Sequence, residues 1–267
     1  MVSSDFVEIV WDDQPVRIET RWIGSAACTA PLLVFLHEGL GSVSMWRDFP
    51  DQLCQAVNAR GVVFSRRGYG RSTPPVRDER WEAGYMHDEA HRALPAIFDA
   101  LGLDTRTAPI TLIGHSDGGS MALLFASRFP ERVSRVVTIA PHIIVEDLSI
   151  QGIEQAREAF SNGPLRQALA RHHENPDATF LRWNTIWLSP EFRHWSIERE
   201  VQAVRCPVLA VQGLDDPYGT LEQIYGIARL APQTRIVTLP ACGHSPHREQ
   251  PQALLAALSH FLTQAPG

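Results

Sequence analysis

The chain has 267 residues, of which 44% are hydrophobic and 20% are charged, as in ordinary globular proteins, and this length favours one α/β domain with an insertion over two independent domains. No stretch approaches the roughly 18 uninterrupted apolar residues of a membrane-spanning helix, so no membrane partner is expected. The formal net charge of −6 and the lack of a basic cluster argue against a nucleic-acid partner.

Strands and helices alternate along the first part of the chain. Two segments of alternating polarity flank Asp12-Asp13-Gln14 and predict an antiparallel hairpin at the edge of a sheet. Two short apolar runs are typical of buried strands, and two further segments have helical spacing, the second of them ending at Gly102. The predicted strands cover about residues 5–11, 15–22, 31–37 and 61–65, and the predicted helices about 46–59 and 84–101.

The segment Gly114-His115-Ser116-Asp117-Gly118-Gly119 lies between a predicted strand and a predicted helix. Residues 109–113 are apolar or β-branched throughout, as in a strand buried on both faces, and apolar residues recur at helical spacing over 120–129. A strand that enters a helix through Gly-x-Ser-x-Gly is the nucleophile elbow of the α/β-hydrolase fold. Ser116 is therefore a candidate nucleophile at the positive end of a helix.

One long segment interrupts the alternation in the second part of the chain. Residues 142–205 have helical patterns, no convincing strand and six large aromatic side chains, and they are too long for a connecting loop and too short for a core of their own. We expect a helical cap at 142–205, inserted between two parts of a core at 1–141 and 206–267. Most of its aromatic residues are expected to attach the cap to the core, the remainder to line an apolar pocket, and His172 and His173 to be solvated. The remaining strands are predicted over 133–140, 207–211 and 234–239, and a last helix over about 249–262.

Two further polar groups follow the last predicted strands. Asp215 and Asp216 come after the strand at 207–211, and His244 comes after the strand at 234–239. The chain order serine, acid, histidine is the order in which this fold carries its catalytic triad. A neutral imidazole accepts the proton of Ser116, and a carboxylate fixes the tautomer of that imidazole and stabilises its cation.

Five motifs, spread over nearly the whole chain, match one family. They are Leu36-His37-Glu38-Gly39-Leu40-Gly41-Ser42, Arg67-Gly68-Tyr69-Gly70-Arg71-Ser72, Ser116-Asp117-Gly118-Gly119, Gly213-Leu214-Asp215-Asp216-Pro217, and Gly243-His244 with Glu249 and Pro251. With these motifs the chain resembles the serine α/β-hydrolases, in particular the biphenyl-hydrolase-like subgroup that includes the amino-acid-ester hydrolase valacyclovirase. The resemblance implies an α/β-hydrolase fold with a mostly parallel eight-stranded sheet, helices on both faces and a helical cap insertion.

The resemblance also implies roles for loop residues. It selects Asp216 as the acid of the triad, with Asp215 as the second choice, and it selects the backbone amide of Gly39 as one oxyanion-hole donor. The amide of Asp117, the residue after the nucleophile, is the second donor. The Asp117 side chain either binds the ammonium group of an amino ester or only stabilises the first turn of its helix.

The sequence departs from the family pattern at Glu38, which stands where a glycine is usual. A carboxylate beside an oxyanion site opposes negative charge there unless it points away or is paired, and the alternatives are that it holds the loop or contacts a donor group of the substrate. His142 directly follows a strand whose carboxyl end faces the ligand crevice in sheets of this kind. The candidate substrate-binding residues are Glu38, Trp46, His142, Trp183, Trp187 and Tyr218.

Several function classes are excluded or disfavoured by composition. All 24 basic residues are arginine, which excludes Schiff-base chemistry on lysine and a Walker A phosphate loop. The sequence has no dinucleotide fingerprint and no Cys/His zinc cluster, and His87 and His91 lack a clear third ligand, so neither a cofactor nor a metal is expected. The four cysteines are dispersed and the first residues do not have the order of a signal peptide, which predicts reduced thiols and a cytoplasmic location. They are Cys28, Cys54, Cys206 and Cys242.

The sequence therefore predicts a cofactor-independent serine hydrolase that acts on a small-molecule ester through an acyl-serine intermediate, with Ser116, Asp216 and His244 as its triad. A carboxylic ester with a bulky or aromatic acyl group is the expected substrate class, with thioesters and amino-acid esters as variants. The alternatives are cleavage of a C–C bond or a lactone by the same triad, and a non-catalytic small-molecule receptor of the same fold. The sequence does not indicate the oligomeric state.

Overall fold

One eight-stranded sheet organises the computed structural model, which describes residues 5–24, 30–75 and 79–264. Within these residues the strand order is β1-β2-β4-β3-β5-β6-β7-β8, and the strands are parallel from β4 to β8. The predicted mostly parallel eight-stranded sheet is confirmed. The strands are β1 (Asp5–Trp11), β2 (Gln14–Ile23), β3 (Leu32–Leu36), β4 (Arg60–Phe64), β5 (Ile110–His115), β6 (Val133–Ile139), β7 (Val208–Gly213) and β8 (Thr234–Leu239).

The predicted edge hairpin is also present. β1 pairs with β2 in antiparallel register, with Trp11 opposite Gln14. The two residues between them, Asp12 and Asp13, have φ angles of 47° and 60°, and positive φ at both central residues belongs to the turn whose twist suits a two-residue hairpin. β2 then pairs with β4 in antiparallel register and joins the hairpin to the parallel strands.

Both faces of the sheet are covered by helices, as the fold prediction requires. In β3, Leu32, Val34 and Leu36 belong to the apolar core on one face, whereas Leu33 and Phe35 belong to the core on the other. This alternation follows from the period of two along a strand. The helices are α1 (Phe49–Ala56), α2 (Tyr85–Asp88), α3 (Leu94–Ala100), α4 (Asp117–Arg128), α5 (Asp147–Asn162), α6 (Leu165–Leu169), α7 (Pro176–Trp187), α8 (Glu198–Gln202), α9 (Glu222–Leu230), α10 (Pro246–Glu249) and α11 (Pro251–Thr263).

Prolines affect the backbone at two of the predicted helices. The segment predicted as one helix over 84–101 consists of α2, a π-helical turn at Glu89–Ala93 and α3, because Pro95 has no N–H for the carbonyl one turn earlier. The last predicted helix, over about 249–262, corresponds to α11, and the short helix α10 before it is separated from it at Gln250, whose φ of −134° and ψ of 53° are not helical. The residue before a proline avoids helical backbone, and Pro251 follows Gln250.

Helices α5 to α8 lie between β6 and β7 in the chain. The only strand-like pairing of the described residues in this segment is an isolated bridge between Ile144 and Ser196. Aromatic rings of the segment pack on one another: the ring centroids of Phe160 and Phe180 are 3.9 Å apart, and those of Phe192 and Trp195 are 5.2 Å apart. The boundaries of a separate cap at 142–205 stay a prediction.

Two further observations concern the described residues only. None of their helices combines the length and apolar character needed to cross a membrane. Cys54, Cys206 and Cys242 are free thiols, whereas the predicted free thiol of Cys28 lies outside the described residues.

Candidate active site

Ser116 lies between β5 and α4, in the sharp turn that its motif predicts. Its φ of 51° and ψ of −119° are a strained backbone conformation for a residue with a side chain. The two glycines on either side allow this turn, since a Cβ at Gly114 would lie 2.1 Å from the carbonyl oxygen of Gly118, and a Cβ at Gly118 would lie 2.0 Å from that of Leu36. Strand and helix therefore approach as closely as bare backbone permits.

Ser116, His244 and Asp216 form a hydrogen-bonded series. The Ser116 hydroxyl lies 3.0 Å from Nε2 of His244, and Nδ1 of His244 lies 2.9 Å from each carboxylate oxygen of Asp216. Because a carboxylate only accepts, Nδ1 carries the proton and Nε2 is free to accept the serine proton. The three side chains come from turns at the carboxyl ends of β5, β7 and β8, which meet at one edge of the sheet.

Asp216, and not Asp215, faces His244. Asp216 is 8% exposed and also accepts hydrogen bonds from the amide of Tyr218 at 2.9 Å and from Nε2 of Gln212 at 3.2 Å. Burial alone raises the pKa of Asp216, but the charge and hydrogen bond of His244 outweigh it, and the pKa lies below its usual range. Asp215 is exposed, and its amide donates to the carbonyl of Cys242.

The loop after β3 brings Gly39 beside the cap segment. A Cβ at Gly39 would lie 2.1 Å from Nε1 of Trp183, so only a glycine fits between this loop and α7. Among the described residues, neither the amide of Gly39 nor that of Asp117 donates to a protein group. Both amides are therefore free to bind an oxyanion.

The Glu38 side chain faces His115, the residue before the nucleophile. Its Oε2 lies 3.4 Å from Nδ1 of His115, whose Nε2 donates to the carbonyl oxygen of His244 at 2.7 Å. Burial raises the pKa of Glu38, but the hydrogen bond and charge of His115 outweigh it and hold the pKa well below its usual value. The carboxylate is therefore paired within the protein.

The Asp117 carboxylate is 1% exposed and has two neighbours. The hydroxyl of Tyr85 donates to its Oδ2 at 2.9 Å, and Nη2 of Arg66 lies 3.7 Å from the same oxygen. Trp187 in α7 donates to the Tyr85 hydroxyl at 3.1 Å. Burial raises the pKa of Asp117, and the positive charge of Arg66 opposes that shift.

Four of the six candidate substrate-binding residues lie around the triad or the Gly39 loop. Besides Trp183, the ring of Tyr218 is 4.7 Å and that of His142 is 6.1 Å from the ring of His244, and Trp187 is 4.9 Å from His142. Burial lowers the pKa of His142 to about 3, so this ring is neutral at physiological pH. The carboxylate of Glu38 is paired with the ring of His115.

Trp46 has a different environment from the other candidates. Its side chain is 1% exposed and belongs to the core that α1 and α11 cover. Its ring packs 5.6 Å from Phe35 and 5.0 Å from His247, and 6.3 Å from His115. The structure thus places His115 and His247, rather than open space, against this indole.

Several residues of the site had no signal in the sequence. Three of them contact Glu38, Asp117 and His244 from positions that are remote in sequence. They are Arg66, Tyr85 and His115, in that order. The expectation that His172 and His173 are solvated is wrong for His173, which is 5% exposed. A histidine pair in a polar segment carries no pattern that distinguishes a buried ring from a solvated one.

No cluster of metal-ligating side chains is present among the described residues. His87 lies 3.6 Å from the carboxylate of Glu200, and the ring of His91 faces the carbonyl oxygen of Leu124. These two histidines are therefore engaged by protein groups.

Comparisons with known proteins agree with this geometry. The family model described as "Alpha/beta hydrolase family" matches residues 33–258. The sn-1-specific diacylglycerol lipase ABHD11 of Mus musculus is 28% identical over 266 residues, 88% of this chain and 81% of that protein. A 2-hydroxy-6-oxo-6-phenylhexa-2,4-dienoate hydrolase of Burkholderia cepacia is 23% identical over 257 residues, 86% of this chain and 87% of that protein.

Solved structures share the fold. The enol-lactonase from Burkholderia xenovorans LB400 superposes with a TM-score of 0.72 at 19% sequence identity, over 93% of this chain and 97% of that one. At this level of identity the likeness concerns the fold alone.

Proposed function

Because the chain belongs to the alpha/beta hydrolase family and is a hydrolase, we propose that it is a cofactor-independent serine hydrolase that cleaves carboxylic esters through an acyl-serine intermediate. The observation that carries this proposal is the 3.0 Å separation of the Ser116 hydroxyl and Nε2 of His244, together with the 2.9 Å contact of Nδ1 with Asp216. A nucleophile, its base and the group that orients the base are thus within hydrogen-bond reach.

In the proposed mechanism Ser116 attacks the acyl carbon while His244 takes the hydroxyl proton. The ester C–O bond then breaks, and His244 gives the proton to the leaving alkoxide, which departs as the alcohol. Water repeats the sequence on the acyl-serine, with His244 as base and then as acid, and releases the carboxylic acid. Asp216 keeps the imidazole in the Nδ1–H tautomer and stabilises its cation in both halves.

The oxyanion of each tetrahedral intermediate is proposed to bind the amides of Gly39 and Asp117. The amide of Asp117 begins α4, where the positive end of the helix adds to the stabilisation. Removing one such donor in other enzymes lowers turnover by about 10²–10³-fold. Among the described residues, neither amide donates to a protein group, which supports this assignment.

The surroundings of the triad favour an uncharged, partly aromatic acyl group. Trp183 and Tyr218 provide aromatic surface beside the Gly39 loop and the triad, and the neutral ring of His142 offers one donor and one acceptor. We therefore propose a carboxylic ester with an aromatic or bulky acyl group as the substrate class. The neutral ring gives no ion pair to a charged acyl group.

A burst assay tests the proposed chemistry. Mixing the enzyme with the p-nitrophenyl ester of an aromatic acid is expected to release a rapid burst of p-nitrophenol, with an amplitude equal to the enzyme concentration. Ser116→Ala is expected to abolish the burst and steady turnover. A burst that persists in this variant would exclude Ser116 as the nucleophile, and tight ligand binding without turnover would favour a receptor.

A panel of lactones, thioesters and C–C-bonded diketones tests the alternative bond types. The same triad supports acyl transfer from each of these substrates, and the relatives include a lipase and a phenylhexadienoate hydrolase. If kcat/KM for a lactone or a diketone exceeds that for every ester, the ester proposal is wrong and the triad assignment stands.

A further inference from the structure

The peptide bond between Glu38 and Gly39 has an unusually well-supported carbonyl. Its oxygen, on Glu38, accepts from the amide of Gly41 at 3.0 Å, from Nδ1 of His37 at 2.7 Å and from Nη2 of Arg66 at 3.0 Å. The nitrogen of this same peptide bond is the Gly39 amide, proposed above as an oxyanion donor. All three donors therefore bind the peptide whose N–H is the proposed oxyanion donor.

Arg66 provides the charged member of this set. Its side chain is 2% exposed, and its own amide donates to Nε2 of His37 at 3.0 Å. That bond fixes His37 as the neutral Nδ1–H tautomer, which is the form that donates to the Glu38 carbonyl. Arg66 therefore supports the peptide directly through its guanidinium and indirectly through His37.

The same guanidinium also lies near the side chain of Asp117, whose amide is the second proposed oxyanion donor. Nη2 of Arg66 lies 3.7 Å from the carboxylate of Asp117, the residue whose amide begins α4. An unbalanced carboxylate at this position would oppose the negative charge of a tetrahedral intermediate, because charges interact strongly in a buried site. Arg66 supplies the opposite charge.

Resting on the acyl-serine function above, we propose that Arg66, besides balancing the charge of Asp117, is a positioning residue that acts through the Glu38–Gly39 peptide to strengthen the oxyanion hole. A cationic donor on a peptide carbonyl polarises the peptide and makes its N–H a better donor. The bond also fixes the direction of that N–H before substrate arrives, so no reorganisation is needed during the reaction. Arg66 itself touches no reacting atom.

The competing explanation is that Arg66 only neutralises Asp117. A buried carboxylate that loses its cation destabilises the fold, and an Arg66→Met variant would then lose activity only through misfolding. The double variant Arg66→Met with Asp117→Asn removes both charges and separates the two explanations. Arg132→Met is the matched control, because Arg132 is also buried, at 7% exposure, and bonds to Thr105 at the opposite end of β6.

Kinetics of these variants on one p-nitrophenyl ester form the first test. Arg66→Met is expected to lower kcat about 10–100-fold per active site, with KM within about threefold, as for a group that acts only in the transition state. Arg66→Lys, which keeps the charge, is expected to recover part of this loss. In the double variant the urea midpoint is expected to rise above that of Arg66→Met, while kcat stays at least tenfold below that of Asp117→Asn alone. Equal kcat for the double variant and Asp117→Asn would overturn the proposal.

A second test needs no catalysis. Glu38-Gly39 is the single Glu-Gly pair in the sequence, so isotope labels on glutamate carbonyls and glycine amides give one NMR correlation, from this peptide. The signal is expected to move in Arg66→Met and to stay in Arg132→Met and Ser116→Ala. An unmoved signal in a folded Arg66→Met variant contradicts the inference. Inactivity of the wild type towards every ester, with a signal that does respond to Arg66, would instead reject the proposed function and leave the polarised peptide.

Discussion

The imidazole of His173 donates from Nε2 to the carbonyl oxygen of Leu40, at 2.9 Å, while its Nδ1 accepts the amide of Gly70 at 2.9 Å. One buried ring thereby joins the segment between α6 and α7 to the loop of Gly39 and to the turn that follows β4. Both bonds need a neutral ring with its proton on Nε2. Burial lowers the pKa of His173 to about 4, which maintains that state.

Replacing His173 is expected to destabilise the fold. His173→Phe leaves the buried amide of Gly70 and the partly buried carbonyl of Leu40 without this partner, and a buried unsatisfied group costs about 1–3 kcal/mol. Urea unfolding at neutral pH measures the loss, and His260→Ala, at an exposed position of α11, is the control, with an expected change within about 0.5 kcal/mol. Equal midpoints for the wild type and His173→Phe would show that the two bonds add nothing to stability.

Stability is expected to fall as the pH is lowered from about 6.5. Burial depresses the pKa of His173 to about 4 from its usual 6.5, so between these values the unfolded chain binds the proton and the folded chain does not. Stability therefore rises with pH across this window, by about 3 kcal/mol for this one residue. The pKa values of His37, His142 and His247 are lowered in the same direction, mainly by burial.

The pH dependence can be assigned by mutation. The free energy of unfolding, measured between pH 4 and 7, is expected to have a shallower slope in His173→Gln than in the wild type, because the neutral amide takes up no proton. A slope that increases in this variant would contradict the assignment.

Asp215 and Asp216 are adjacent, so replacing each in turn tests which of them is the acid of the triad. Asp216→Asn is expected to lower kcat about 10³–10⁴-fold, because an amide at this position leaves His244 in the wrong tautomer. Asp215→Asn is expected to retain kcat within about twofold, because its side chain is exposed and does not face His244. Steady-state kinetics on one ester compare both, and a larger loss in Asp215→Asn would reverse the choice of acid.

The buried carboxylate of Asp117 gives a prediction about substrate selectivity. Its Oδ2 accepts from Tyr85 and lies near Arg66, and the side chain is only 1% exposed, so we expect it to form no ion pair with an ammonium group of a substrate. The ratio of kcat/KM for an α-amino ester to that for the matching ester without the amine is expected to be the same, within about threefold, in the wild type and in Asp117→Asn. A tenfold fall of that ratio in the variant would mean that the carboxylate recognises the amine.

The fold was accessible from the sequence, and so were three side chains that the structure brings within hydrogen-bond reach of one another, both for one physical reason. In a parallel sheet, the residues that follow successive strands gather at one edge, so the short motifs around Ser116, Asp216 and His244 needed only to follow predicted strands. The π-helical turn before Pro95 and the separation of α10 from α11 before Pro251 follow from local rules that the helical pattern does not show.

The supporting residues were not accessible in this way. Arg66 meets the Glu38 carbonyl across 28 positions of chain, and His173 meets Leu40 across 133, and no periodicity links such pairs. Trp46 shows the converse problem: a tryptophan near a catalytic loop has the same sequence appearance whether it lines a cavity or, as here, packs against Phe35 in the core.

Strands β6 and β7 are parallel neighbours in the sheet, so the chain that leaves the carboxyl end of β6 has to cross over to the opposite end of β7, and helices α5 to α8 make this crossover. A crossover of this length can grow or shrink while the strand register stays fixed, because a longer connection costs little additional closure entropy. Ser116, Asp216 and His244 all lie outside it. The proposed triad and the cap tryptophans therefore belong to different parts of the polypeptide, and exchanging this one segment for that of a relative is expected to change selectivity while the triad stays in place.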